Sequence, residues 1–237
     1  MIALLSYIHT CFIRSYRFGP PSLVFIAGII FVYSVKPNPV MESYAFSVSF
    51  LFVISSAISY VIMELESNHQ EAITMTHTRS IVVLYVAKLL YSWLFTVPFA
   101  LLAVVYPAAL QLFDRNPTVE EIVLVLLYHL TAAWLAVTVT CWFSSKFIRS
   151  RLTSFLLLSL LIVLTFSARP IIDLLPGPLK AAGYLLPPLE RSLYVLFHYE
   201  ATELAVKWLP IGAILLYGML STALYLYIVN KRKLDAV

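Results

Sequence analysis

Charge and glycine are both scarce in this chain. Only 12% of its 237 residues are charged, while 61% are hydrophobic. A soluble domain carries about a quarter charged residues, so a water-solvated surface is excluded and a hydrocarbon environment is expected. Six glycines are too few for a loop-rich or barrel protein. The apolar residues also run in long unbroken stretches, not in the alternation of barrel strands. Cysteine is nearly absent: Cys11 and Cys141 lie far apart and form no C-x-x-C motif, which argues against a disulfide framework or a zinc site. No G-x-x-x-x-G-K-[ST] sequence is present, so the chain has no phosphate cradle for ATP. Nor is there a G-x-S-x-G or H-E-x-x-H motif, or a close pair of intramembrane acids. Metal from His69 and His77, eight residues apart with no cysteine nearby, is not expected. The N-terminus does not read as a cleaved leader, because Arg14 and Arg17 follow its apolar stretch.

What is present is a series of apolar runs, with a mean hydropathy of +0.90. Residues 1–18 predict an interfacial amphipathic helix. Ser6, Thr10, Arg14 and Arg17 share one helical face, and Leu4, Leu5, Ile8 and Phe12 the other; a plain extension of the first span is the alternative. Pro20 and Pro21 are expected to break it. Six spans follow, at 22–35, 42–63, 81–106, 119–143, 152–168 and 208–229. The first is short: 14 residues cover ~21 Å of a ~30 Å hydrocarbon core. Ser43, Ser47, Ser55 and Ser59 in the second span, and Ala132, Ala136 and Thr140 in the fourth, form small-residue stripes that admit close helix neighbours. Pro98 predicts a kink in the third. The segment 169–207 is rich in proline and charge, and its apolar runs 181–186 and 193–197 are too short to cross. They predict short interfacial or re-entrant helices. The fold class is therefore an all-α membrane protein with a single transmembrane domain.

Basic residues set the orientation. Arg14, Arg17, Arg79, Lys146, Arg149, Arg151, Lys231, Arg232 and Lys233 lie on one side. Lys36, Arg115, Arg169, Lys180, Arg191 and Lys207 lie on the other. The nine-to-six excess predicts a multi-pass cell-membrane protein with both termini cytoplasmic, residues 64–80 inside and 169–207 outside. The outer loops lack an N-x-[ST] acceptor, since Asn116 precedes Pro117, which is compatible with a bacterial source.

The polar segment after Met63 is the most informative. Glu64, Glu66 and Glu71 cluster at its start, where they would favour a helix N-terminus. Ala72, Ile73, Met75 and Thr76 then give a modest apolar patch that could dock a partner. Thr78 and Arg79 follow, and Ala87, Lys88, Leu89 and Leu90 come about ten residues later. With these residues the segment resembles the coupling-helix region of ABC-transporter permeases of the type 2 exporter class. Ser67, Asn68 and His69 stand where that family often has a Gly, and His77 where it often has a Pro. The motif covers about 27 residues, and the elbow helix and six spans match the family's topology along nearly the whole chain.

The resemblance implies a non-catalytic permease subunit. A separate ABC ATPase subunit, carrying ATP and Mg, would bind through Glu64, Glu66, Glu71, Ile73, Met75, Thr78 and Arg79. A second permease copy or a related permease would complete the transporter. This chain itself would bind no cofactor, and neither a metal nor a nucleic acid is expected. The low charge of the spans points to a hydrophobic or amphipathic cargo, and the family to export. The alternatives are a non-transporting membrane subunit (assembly, sensing or immunity) and an intramembrane hydrolase. Four residues are candidates for a pathway or gate. Lys88 either lines the pathway, joins a buried ion pair, or snorkels to the headgroups. His129 either relays protons or makes one helix–helix hydrogen bond. Glu190 and Arg191 cluster with His198, Glu200 and Glu203, as an outer gate or as solvated loop charges. Trp93, Trp134, Trp142, Tyr184, Tyr199 and Trp208 read as interfacial anchors.

Overall fold

A computed structural model of the chain describes residues 1–78, 80–177, 180–183 and 185–232. Arg79, Tyr184 and Lys233, which carried expectations above, lie outside the described residues. The fold is all-α, with no β-sheet among the described residues. Its helices are α1 (Ile2–Arg14), α2 (Gly19–Val32), α3 (Val40–Met63), α4 (Asn68–Thr78), α5 (Ile81–Ala109), α6 (Val119–Thr140), α7 (Arg151–Phe166), α8 (Ala168–Leu174), α9 (Lys180–Gly183), α10 (Leu189–Phe197) and α11 (Leu204–Arg232). The chain is a multi-pass membrane protein by the length and apolarity of these helices. Four of them (α3, α5, α6 and α11) can cross a membrane alone, and six spans result if the bent pairs α1–α2 and α7–α8 each count as one.

The break near the N-terminus differs from expectation. Pro20 and Pro21 do not end α1; they occupy the first turn of α2, where a missing N–H costs nothing. The chain turns instead between Ser15 and Phe18, with Tyr16 at φ 57°, and α1 and α2 meet at 79°. Helix α2, Gly19–Val32, thus covers the region of the expected first span and packs on α3. The second bent pair turns by 72° at Ser167. Of the two short runs in 169–207, one becomes α9 and the other α10, and α10 lies against α3.

The core is the α3–α6 pair. Two thirds of α6 (67%) is buried, but only 17% of α11. The small-residue stripes make this pairing possible, and every member of both is buried. Polar side chains then tie the spans together. Tyr44 donates to the Val104 carbonyl (3.1 Å) between α3 and α5, and Trp93 to the Leu130 carbonyl (3.0 Å) between α5 and α6. Trp142 reaches the Ser221 hydroxyl at 2.8 Å, and the Trp93 and Trp134 rings meet edge-on at 6.4 Å. These three tryptophans join helices. Thr118 and Glu121 form a reciprocal capping box that starts α6, and Glu121 also pairs with Arg115.

Candidate functional site

The segment after Met63 folds back on the first turns of α5. Ser67 and Gln70 begin α4, with the Ser67 amide donating to the Gln70 side chain (3.0 Å) and the Gln70 amide to the Ser67 hydroxyl (3.3 Å). Thr78 ends it, its hydroxyl within 3.4 Å of the Met75 carbonyl and 3.3 Å of the Ser80 carbonyl. This fold-back carries two carboxylates inward, onto the lysine of α5. Lys88 Nζ lies 2.9 Å from Glu66 and 3.7 Å from Glu71. Glu71 also pairs with Lys146 at 2.7 Å and accepts from the Tyr85 hydroxyl at 3.1 Å. Glu66 accepts from Thr74 (2.6 Å) and from Tyr7 of α1 (3.1 Å). Glu64 points the other way and accepts the Ser145 amide at 2.6 Å.

Two lysines and two glutamates therefore form a charge-balanced quartet. The side chains of Lys88, Glu66 and Glu71 are 0%, 3% and 5% exposed, and that of Lys146 is 29% exposed. A lone buried lysine would be costly; two facing carboxylates offset that cost when their remaining lone pairs are also bonded. Burial pushes the Glu66 carboxyl up, but Lys88 beside it and the Thr74 and Tyr7 hydroxyls hold its pKa below the ordinary carboxylate value. Tyr85 meets the ring of Tyr225 of α11 edge-on at 5.6 Å. The quartet thus draws together α1, α4, α5, the turn after α6 and α11.

Of the alternatives for Lys88, the buried ion pair is the one present: its ammonium is enclosed by Glu66, in the turn before α4, and by Glu71 of α4, counter-charges that a hydropathy reading of α5 alone does not contain. Glu66 and Glu71 turn inward, and both carboxylates are bonded within the chain. The apolar patch divides as well. Ile73 is 62% exposed, but Met75 packs inward on the cluster of Met63, Ile81, Tyr85, Leu89 and Tyr225. Glu64 and Thr78 stay at the edges of the site.

The other candidates lie elsewhere. His129 is fully buried in α6, with Nε2 2.9 Å from the Ser47 hydroxyl and Nδ1 2.8 Å from the Val125 carbonyl. These contacts are those of a helix-packing residue. The charged and histidine residues of 190–203 do not form one cluster. Glu190 and Arg191 line a cavity of about 250 Å³ with Ala168 and Tyr217, and Glu190 lies 3.6 Å from Arg169. His198 and Glu200 line a separate cleft of about 370 Å³ with Glu42, Asp114 and Arg115, and Glu203 is exposed. Among the described residues, no group of three or more His, Cys, Asp or Glu could hold a metal ion. Sequence reasoning missed Tyr7, Thr74, Tyr85 and Lys146 as partners in the quartet, since only the fold brings them together. Compared with known proteins, the chain matches no family model, no curated sequence and no solved structure.

Proposed function

We propose that this chain is the membrane-spanning subunit of an ATP-driven transporter of the ABC type 2 exporter class. It moves a hydrophobic or amphipathic cargo in a bacterial cell membrane. In this reading both termini and α4 face the cytoplasm, and a separate ATPase subunit holds ATP and Mg. A second copy or a related permease completes the pathway. The observation that carries the proposal is the wiring of α4. Glu71 of this short helix is bonded to Lys88 of α5 and to Lys146 behind α6, while the turn leading into the helix adds Glu66, paired with Lys88, and Glu64, the cap of α3, which accepts the Ser145 amide. A push on such a helix moves several spans as one body, because ion pairs and buried polar contacts resist shear. Its outward face, with Ile73 and His77 exposed, is free to receive the push.

The test is to purify the chain with a candidate ABC ATPase and measure complex formation and ATP hydrolysis. Ile73→Asp places a charge on the receiving face and leaves the quartet intact. It should weaken the complex at least about tenfold, since a core interface residue is worth ~1.4 kcal/mol or more. A complex indifferent to Ile73→Asp, or no complex with any ATPase, would sink the proposal.

A further inference from the structure

Helix α1 is seated on α5 through Ile8 and Phe12, both buried. The Phe12 ring centroid lies 5.0 Å from Phe95 and 5.9 Å from Tyr91. A groove flanks each side of this crossing. One opens toward α4, between Leu4, Tyr7, Ile73 and His77. The other, of about 620 Å³, opens on the far side between α1 and α5, with Leu5 and His9 on one wall and Tyr91, Leu94, Phe95 and Phe99 on the other.

The second groove is graded in polarity. Ser6, His9 and the Tyr91 hydroxyl are its polar groups, all at the α1 edge, and His9 Nδ1 lies 3.0 Å from the Tyr91 oxygen. Beyond that edge the lining is hydrocarbon. From Tyr91 to Phe99 the slot follows α5 for ~12 Å, close to half of a ~30 Å hydrocarbon core. Leu94 is 44% and Ile2 86% exposed, so the slot is open to whatever surrounds the spans. The charge carried by the α1 segment itself has one sign. Residues 1–18 hold Arg14 and Arg17 and no acid. Both arginines are exposed, and neither makes an ion pair with a described residue. Ser6 and Arg14 lie two turns apart on the same helical stripe.

We infer that this groove binds one acyl chain of an anionic phospholipid from the leaflet on the α4 side. The headgroup rests at the Ser6–His9 edge, and Arg14 and Arg17 select negative charge. The geometry fits this occupant: wet and cationic at the interface, apolar for one leaflet's depth, and open laterally to lipid. Each basic residue near the surface favours an anionic headgroup and loses that effect with salt. The inference rests on the membrane reading of the spans and not on transport.

The experiment reconstitutes the chain in vesicles of phosphatidylcholine with a minor fraction of phosphatidylglycerol. It is then extracted in neutral detergent, and the retained phospholipid is counted by mass spectrometry. Wild type should retain phosphatidylglycerol enriched over the bulk membrane. Leu94→Trp, which fills the slot, should lose the retained lipid, and so should Ile2→Trp from the α1 side. Leu101→Trp, on an equally exposed part of α5, should not. Arg14→Ala with Arg17→Ala should keep a lipid but lose the enrichment several-fold, and added salt should do the same. Undiminished retention in both slot-filling variants overturns the inference. Enrichment indifferent to the arginines also overturns it, as does a change of oligomeric state with Leu94→Trp at unchanged lipid content, which would assign the groove to a protein partner.

Discussion

Lys88 is held by charges from the turn before α4 and from α4 itself, and this fixes what its replacement should do. Lys88→Met leaves Glu66 buried with no cation and Glu71 with Lys146 alone. Stranding one member of a buried pair costs about 3–5 kcal/mol, so the melting temperature in detergent should fall sharply. Lys88→Met combined with Glu66→Gln should recover much of the loss, because no charge is then left unpaired. An additive double variant would mean the two side chains do not interact. Glu66 also predicts a pH dependence. Its folded pKa lies below the ordinary value of 4.5. Its contribution is therefore fully present above pH 4.5 and is lost as the pH falls through the lower folded value. The melting difference between wild type and Glu66→Gln should shrink over that acid range and stay constant at neutral pH.

Helices α2 and α6 show how elements depend on single local features. The first two residues of α2 after Gly19 are prolines, which start a helix well, and its packing on α3 depends on Gly28. A Cβ there would sit 2.3 Å from the Phe50 ring, which itself stacks on Phe25 at 5.3 Å. Gly28→Val should therefore strain the α2–α3 contact and destabilise by about 1–3 kcal/mol, read as a lower melting temperature. Thr118 caps α6 with Glu121. Thr118→Ala should cost about 1 kcal/mol, and less in a chain already carrying Glu121→Gln, since the two act as one box. Helix α5 is 29 residues long, or ~43 Å, well over a ~30 Å hydrocarbon core. The α1 crossing at Tyr91 leaves Lys88 on the α4 side of α1.

The whole molecule is an α3–α6 core with flanking helices that expose broad apolar faces. Phe155, Leu156 and Leu160 of α7, and Leu216, Met219 and Leu220 of α11, are all more than half exposed, as lipid-facing helices are. The proposed orientation is testable at this scale. In a background of Cys11→Ser and Cys141→Ser, a cysteine introduced at exposed Asn116 should react with an impermeant maleimide on intact cells. One introduced at exposed Ser67 should react only after lysis. Labelling of Ser67→Cys from outside would invert the topology and remove α4 from reach of any cytoplasmic motor.

The sequence by itself determined the helical membrane class, the limits of the long helices to within a few residues, the small-residue faces of α3 and α6 and the short helices α9 and α10. These follow from local hydropathy, periodicity and side-chain size, which act within one helix. It did not determine where Lys88 finds its charge, how Glu66 and Glu71 are turned inward, or that α1 leaves a lipid-sized slot against α5. Tyr7, Glu66, Tyr85 and Lys146 are separated by up to 139 positions, and no local pattern links them. Only the packing of α1, α4, α5 and the turn after α6 makes them neighbours, because an ion pair in a low-dielectric interior depends on distance in space alone.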